Sequence, residues 1–160
     1  MLLRIVKAGL KLKPSKCFFA MDRVLFLGHE VSAAGLGPNK VKTKAIECLP
    51  LPTDLKSLRS FLGMSSFFRR FVKDCATLAD PLIQLTKLDS PFVWGVKQQF
   101  AFNELKRRLC DEPIMDHFDP KLPIEIHTDA SSVGLGAVLI QRKDGNEKII
   151  AYASKTQRTA

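Results

Sequence analysis

A chain of 160 residues with 46% hydrophobic residues carries enough apolar material for one ordinary domain or two small ones, which excludes an intrinsically disordered chain. No stretch approaches the roughly 20 apolar residues of a membrane span, and charge recurs where a signal peptide would hold its apolar core, so a soluble, intracellular protein with no membrane partner is expected. The formal net charge of +9 lies wholly in the first half: residues 1–72 hold 13 Lys or Arg against 4 Asp or Glu, and residues 73–160 hold 12 against 12.

Taken in chain order, MLLRIVKAGLKLKPSKCFFA reads as a short helix ended by Gly9, then a basic extended segment through Pro14. VLFLGHEVSAAGLGP, two short apolar runs about Gly28 followed by a Gly-rich turn, predicts a β-hairpin. Pro38-Asn39 opens a helix over about 40–49, which Pro50 and Pro52 end. Thr53 or Asp54 then caps a helix in which Leu55, Leu58, Phe61, Leu62, Phe68 and Phe71 recur at three- and four-residue steps as the apolar face. Lys56, Arg59, Arg69 and Arg70 fall toward the other faces. The phenylalanines of FFRRF read as core, and its arginines as the better candidates for phosphate contact. A shorter helix over about 75–87 is expected to be interrupted at Pro81. Another over about 97–111 is expected to turn Phe100, Leu105 and Leu109 inward and Lys106, Arg107 and Arg108 mostly outward.

Asp119-Pro120 marks a change of character, since from residue 122 the alternation has period two. Strands at 123–129, 134–141 and 147–154, with a tight turn at Asp144-Gly145-Asn146, predict an antiparallel three-stranded meander. In IEIHTDASSVGLGAVLIQ, at 124–141, alternation puts Ile124, Ile126 and Thr128 on one face and Glu125, His127 and Asp129 on the other, the pattern of a half-buried strand. On local grounds Asp129 is either a turn former or a metal ligand.

Metal and redox chemistry leave few other signals. Cys17, Cys48, Cys75 and Cys110 form no C-x-x-C pair, which points to reduced, mostly buried thiols and away from a zinc site or disulfide framework. HEVSA at 29–33 lacks the second His of a metalloprotease helix, and His29, His117 and His127 read as packing or surface residues.

The order of these segments resembles the pol polyprotein of gypsy-type long-terminal-repeat retrotransposons over nearly the whole chain. The resemblance rests on KAGLKLKPSKCFF at 8–19, VLFLGHEVSAAGLGPNKVKTKAI at 24–46, LKSLRSFLGMSSFFRRFV at 55–72, LADPLIQLTK at 78–87, FVWGVKQQFAFNELKRRL at 92–109 and FDPKLPIEIHTDASSVGLGAVLIQ at 118–141. It implies an α+β chain with the end of a reverse transcriptase palm at 1–38, thumb-like helices at 39–90, a connection at 91–119 and the first strands of a truncated RNase H-like domain at 120–160. Phe26, Leu27, Gly28, His29 and Glu30 are similar to the palm hairpin that grips the primer. Lys40, Lys42, Lys44, Lys56, Arg59, Arg69 and Arg70 are the expected contacts to the phosphates of an RNA–DNA hybrid or DNA duplex, which accounts for the charge asymmetry.

The resemblance also implies that Asp129 is the first acid of an RNase H site holding Mg²⁺, with Gly134 and Gly136 either keeping space beside it or marking a bulge. Two absences limit this. No Asp-Asp pair occurs in the chain, so the Y-x-D-D metal ligands of polymerisation are missing, and only Asp144 and Glu147 follow Asp129, both beside the distal turn. The expectation is therefore a fragment of a reverse transcriptase and RNase H that binds duplex without catalysis, partnered by the rest of the polyprotein. A co-opted non-catalytic interaction module and a functionless relic are the alternatives. A meander without its covering helices would leave an apolar face and an edge open, and residues 24–112 are expected to be the most robust.

Overall fold

The computed structural model describes residues 2–88, 90–111 and 114–157. Its elements run α1 (Leu2–Lys7), β1 (Arg23–Phe26), β2 (His29–Ser32), β3 (Gly35–Pro38), α2 (Lys40–Glu47), α3 (Leu55–Phe67), α4 (Cys75–Gln84), α5 (Val96–Cys110), β4 (Ile124–Ala130), β5 (Gly134–Lys143) and β6 (Asn146–Thr156). Two antiparallel three-stranded meanders, β1-β2-β3 and β4-β5-β6, sit either side of the helices in sequence. The α+β class expected from the sequence is the architecture found. The first hairpin gains a third strand, β3, because the Ala33-Ala34 turn returns the chain with Ser32 opposite Gly35.

Helix starts follow local chemistry. The Asn39 side chain accepts from Val41 N at 2.9 Å, and the Asp54 carboxylate accepts from Ser57 N at 2.7 Å while Ser57 Oγ accepts from Asp54 N, a reciprocal capping box. The Ser57 N–H and the Ser57 hydroxyl, which donates to Asp54 Oδ1 at 2.8 Å, hold the Asp54 carboxyl below its ordinary value. The Gln98 side chain accepts from Gly95 N at the start of α5.

The core lies among α2–α5: Ile46, Leu58, Phe61, Phe68, Phe71, Leu82, Phe102, Leu105 and Leu109 are buried. The stripe expected on α3 is present, but its last two aromatics leave the α-helix, which ends at Phe67 and passes into a 3-10 turn over Arg69–Phe71. Two expectations fail here. Helix α4 runs through Pro81 without interruption; Pro81 has no N–H to give, and its own carbonyl accepts from Gln98 Nε2 of α5. On α5 Leu105 and Leu109 are buried as expected, but Phe100 is 66% exposed and its inward place is taken by Ala101 and Phe102. Lys106 is also half-buried, its ammonium donating to the Leu49 carbonyl beyond the end of α2 at 2.9 Å. Glu104 holds Arg107 and Arg108 along the helix, and the two guanidiniums draw its carboxyl down to about 2. Of the cysteines only Cys75 is buried, and Cys48 is exposed, which corrects the expectation of mostly buried thiols.

A short strap joins the two sheets. Met115 exchanges backbone hydrogen bonds with Leu36 at 2.7 and 2.8 Å, and Asp116 N donates to the Ile149 carbonyl at 2.8 Å. His117 Nε2 lies 2.6 Å from the Ser32 carbonyl.

Sheet β4-β5-β6 rests on the helices by one face. Gly134 and Gly136 are not a bulge, which falls instead between Leu139 and Ile140. They let the start of α4 approach: a Cβ on Gly136 would stand 2.6 Å from Asp74 Oδ1, and one on Gly134 2.9 Å from Thr77 Oγ1. Asp74 has left-handed backbone and does not cap α4; Ser154 of β6 does so from across the interface, its hydroxyl accepting from Ala76 N at 2.9 Å. Arg69 adds a hydrogen bond to the Ser154 carbonyl.

Strand β4 overhangs this support. Cross-strand partners share a face, so Asp129 and His127, opposite Gly136 and Val138, point to the helical side. Ile124 and Ile126 point the other way and are exposed, Ile126 by 64%, as is Leu135. The half-buried strand expected from alternation is an edge strand with both faces largely open. Gln141, on the Ile124 face, is buried, bonding Asp119 N and O and Leu122 O, so the 119–122 loop covers one end of that face.

Candidate nucleic-acid interface

The turn between β1 and β2 is a two-residue hairpin loop in which Leu27 and Gly28 have φ of 48° and 80°, the left-handed pair that matches the twist of the flanking strands. Gly28 is required by more than its φ, because a Cβ there would meet Phe67 Cζ at 2.8 Å and Lys42 Nζ at 3.1 Å. Leu27 stands 76% exposed at the apex, Phe26 is also exposed, and Glu30 pairs with Arg23 at 3.0 Å. His29 stacks on Phe67 with ring centroids 5.3 Å apart and 12° between planes.

Gly28, His29, Lys42, Phe67 and Arg70, spread over 43 positions of sequence, thus form one cluster. The Lys42 ammonium lies 4.5 Å over the Phe67 ring, and the buried Arg70 Nε and His29 Nδ1 have no hydrogen-bond partner among the described residues. On α3, Lys56, Arg59, Gly63 and Phe67 follow at three- and four-residue steps, which lays them along one side of the helix leading to the cluster. A Cβ on Gly63 would meet nothing within 4 Å, so the backbone there is bare. Among the described residues Lys42, Lys44, Lys56, Arg59 and Arg70 make no ion pair. Lys40 and Lys44 are exposed on α2. Arg69 departs from the set: its guanidinium is turned to the Ser154 carbonyl and serves the sheet interface. Phe67, half exposed at the centre of the cluster, is the member that sequence reading assigned to the core; its place between two apolar stripe positions hid it.

Burial, then the charges of Arg70 and Lys42, hold the His29 imidazole below its ordinary value of 6.5. Folding therefore favours the neutral His29 imidazole, and the His29 contribution to stability is complete above pH 6.5 and declines as pH falls through that value toward the lowered one. Denaturant midpoints at pH 8 and pH 5 check this: His29→Phe, which keeps the stacked ring, should lose less stability on acidification than the parent chain. An unchanged loss would assign the acid sensitivity elsewhere.

Asp129 lies exposed near the end of β4, opposite a glycine. Among the described residues no group of three or more His, Cys, Asp or Glu stands close enough to hold a metal ion. A single exposed carboxylate does not fit Mg²⁺, which needs several oxygen ligands in near-octahedral array. Asp144 and Glu147 are at the opposite end of the sheet, Asp144 in the β5–β6 turn and Glu147 paired with Arg142 at 2.9 Å. Glu125 also binds Arg142, which with His127 holds its carboxyl below the usual range.

A helical layer thus carries a three-stranded meander whose first strand ends on Thr128, Asp129 and Ala130. Residues 94–160 match the family described as an RNase H-like domain found in reverse transcriptase. The chain is 38% identical over 147 residues to the retrovirus-related Pol polyprotein from transposon 412 of Drosophila melanogaster, covering 92% of this chain and 12% of that protein. It is 36% identical over 157 residues to the corresponding polyprotein from transposon 297 of the same organism, covering 96% and 14%. The transposon Tf2-3 polyprotein of Schizosaccharomyces pombe is 33% identical over 144 residues, covering 90% and 11%. The chain belongs to the Pol polyproteins of long-terminal-repeat retrotransposons, and it spans about an eighth of the length of these relatives. Among solved structures, the foamy viral protease-reverse transcriptase in complex with RNA/DNA hybrid superposes with a TM-score of 0.75 at 25% identity, over 90% of this chain and 20% of that one. The dRH form of that protein in complex with double-stranded DNA gives 0.78 at 25% identity, over 95% and 27%.

Proposed function

We propose that this chain holds a nucleic-acid duplex, RNA–DNA hybrid or DNA, by its phosphate backbone, as the end of palm (1–38), thumb (39–90), connection (91–119) and first RNase H strands (120–160) of a reverse transcriptase acting inside the cell. The carrying observation is the unpaired basic row Lys56, Arg59 and bare Gly63 leading to Phe67, Lys42 and Arg70, with the Leu27-Gly28 turn docked beside it. Cations without acidic partners on a flat helix side suit phosphates, which every sequence offers alike. The foamy viral relatives, in complex with RNA/DNA hybrid and double-stranded DNA, support the same ligand class. Polymerisation and hybrid cleavage belong, on this reading, to the longer Pol protein, with the remaining polyprotein as partner. Asp129 serves there as one Mg²⁺ ligand of an RNase H site whose other ligands are not among the described residues. Asp129→Asn should weaken Mg²⁺ binding in a Pol protein carrying the complete RNase H domain; unaltered titration would remove Asp129 from that role.

Fluorescence titration of labelled duplex across salt concentrations tests the interface. Affinity should fall steeply with salt, and Arg59→Gln should reduce the slope of log K against log salt by about 1 for any duplex sequence. Affinity that is flat with salt would sink the proposal.

A second reading is favoured by one observation, the open apolar face of Ile124, Ile126 and Leu135: a non-catalytic module that binds a protein there. It requires Ile126→Lys to abolish the partner interaction while the salt-dependent duplex affinity is absent from the start.

A further inference from the structure

Between the helices and the end of β6 lies an open-mouthed cavity of about 280 Å³. Leu62, Ile83 and Leu105 give it apolar walls, while Arg69 and Lys155 also line it and no acidic residue does. Ser65 lines it too. That residue is 3% exposed, and its hydroxyl has no hydrogen-bond partner among the described residues. A helical serine ordinarily satisfies its hydroxyl on the carbonyl four residues earlier, and leaving a buried hydroxyl unpaired is unfavourable. Ser65 of α3 and Arg69 of the 3-10 turn that follows it line the same cavity. Arg69 uses one nitrogen on the Ser154 carbonyl and has further donors to give.

We propose that this cavity is a binding site for a small amphipathic carboxylate, its head held by Arg69 and the Ser65 hydroxyl and its tail against Leu62, Ile83 and Leu105. Arg69 and Lys155, which make no ion pair among the described residues, select an anionic head, and the apolar walls select a hydrocarbon body over a sugar or nucleotide. A dry apolar cavity of about 150 Å³ accommodates benzene, so the space here suits roughly eight carbons. Because α3, α4, α5 and β6 all line the site, a bound ligand joins the helical layer to the sheet and raises the unfolding temperature. The proposal does not depend on duplex binding.

Calorimetric titration and thermal unfolding of the 160-residue chain with sodium octanoate test it. Octanoate should bind saturably with one-to-one stoichiometry and raise Tm; octanol should bind at least 10-fold more weakly, and acetate should leave Tm unmoved. Leu62→Trp, which fills the cavity, should abolish the octanoate response. Ser65→Ala, which removes an unpaired hydroxyl and so leaves the fold intact, should weaken octanoate at least 3-fold, and it decides the matter if Leu62→Trp does not fold. Absence of saturable octanoate binding, equal affinity for octanol, or undiminished affinity in Ser65→Ala would each overturn the assignment.

Discussion

Phe61→Ala is expected to destabilise the chain by about 3–5 kcal/mol, lowering the unfolding temperature by roughly 10 °C or more. Phe61 is 2% exposed at the centre of the core, its ring centroid 4.6 Å from that of Phe102 on α5. Truncation removes the contact that holds α3 to α5 and leaves a cavity that backbone on both sides cannot close. Phe100→Ala is the matched comparison: same residue type, on α5, but pointing to solvent, and expected to change stability by no more than about 0.5 kcal/mol. Urea midpoints for the two variants measure the difference. Equal losses would mean that α5 is rotated from the orientation described.

Gly35→Ala is expected to cost on the order of 3 kcal/mol, from backbone strain and two lost hydrogen bonds together. Gly35 has φ of 137°, and a Cβ there would stand 2.2 Å from the Met115 carbonyl oxygen, a backbone atom that cannot rotate aside. The Leu36–Met115 pair must break for the methyl group to fit, and with it the strap between the sheets. Gly9→Ala supplies the control, since Gly9 has φ of 70° with nothing within 4 Å and should cost only about 1 kcal/mol of left-handed strain. Faster hydrogen exchange at Leu36 and Met115 in Gly35→Ala would locate the damage. A Gly35→Ala chain as stable as Gly9→Ala would contradict the strap.

Elements governed by neighbours in sequence were legible from the sequence. Asn39 and Asp54 announce their helices because a cap is a contact over two or three residues, and the Asp144-Gly145 turn is fixed by its own backbone preference. Orientation was less legible where two phases of an apolar stripe compete. On α5, Phe100 and Phe102 are equally apolar, and only the position of Phe61 across the interface selects Phe102. Pro81 failed as a breaker because tertiary packing on α5 outweighs one missing N–H.

The candidate interface was legible in composition and not in assembly. Charge and the family resemblance nominated Lys42, Lys56, Arg59 and Arg70, but no local pattern joins Gly28 to Phe67 or diverts Arg69 to the Ser154 carbonyl. Gly136 shows the same limit. It stands opposite Asp129, yet the contact that demands a glycine comes from Asp74, 62 positions earlier.

The seating of the Leu27-Gly28 turn against Phe67 makes α3 a lever. Its 13 residues span about 20 Å, so tilting it by roughly 6° about its Asp54 end would carry Phe67, and the turn wedged against it, by about 2 Å. Were a duplex to lie along Lys56 and Arg59 as proposed, a push on that side of the helix would thereby move the apex at Leu27.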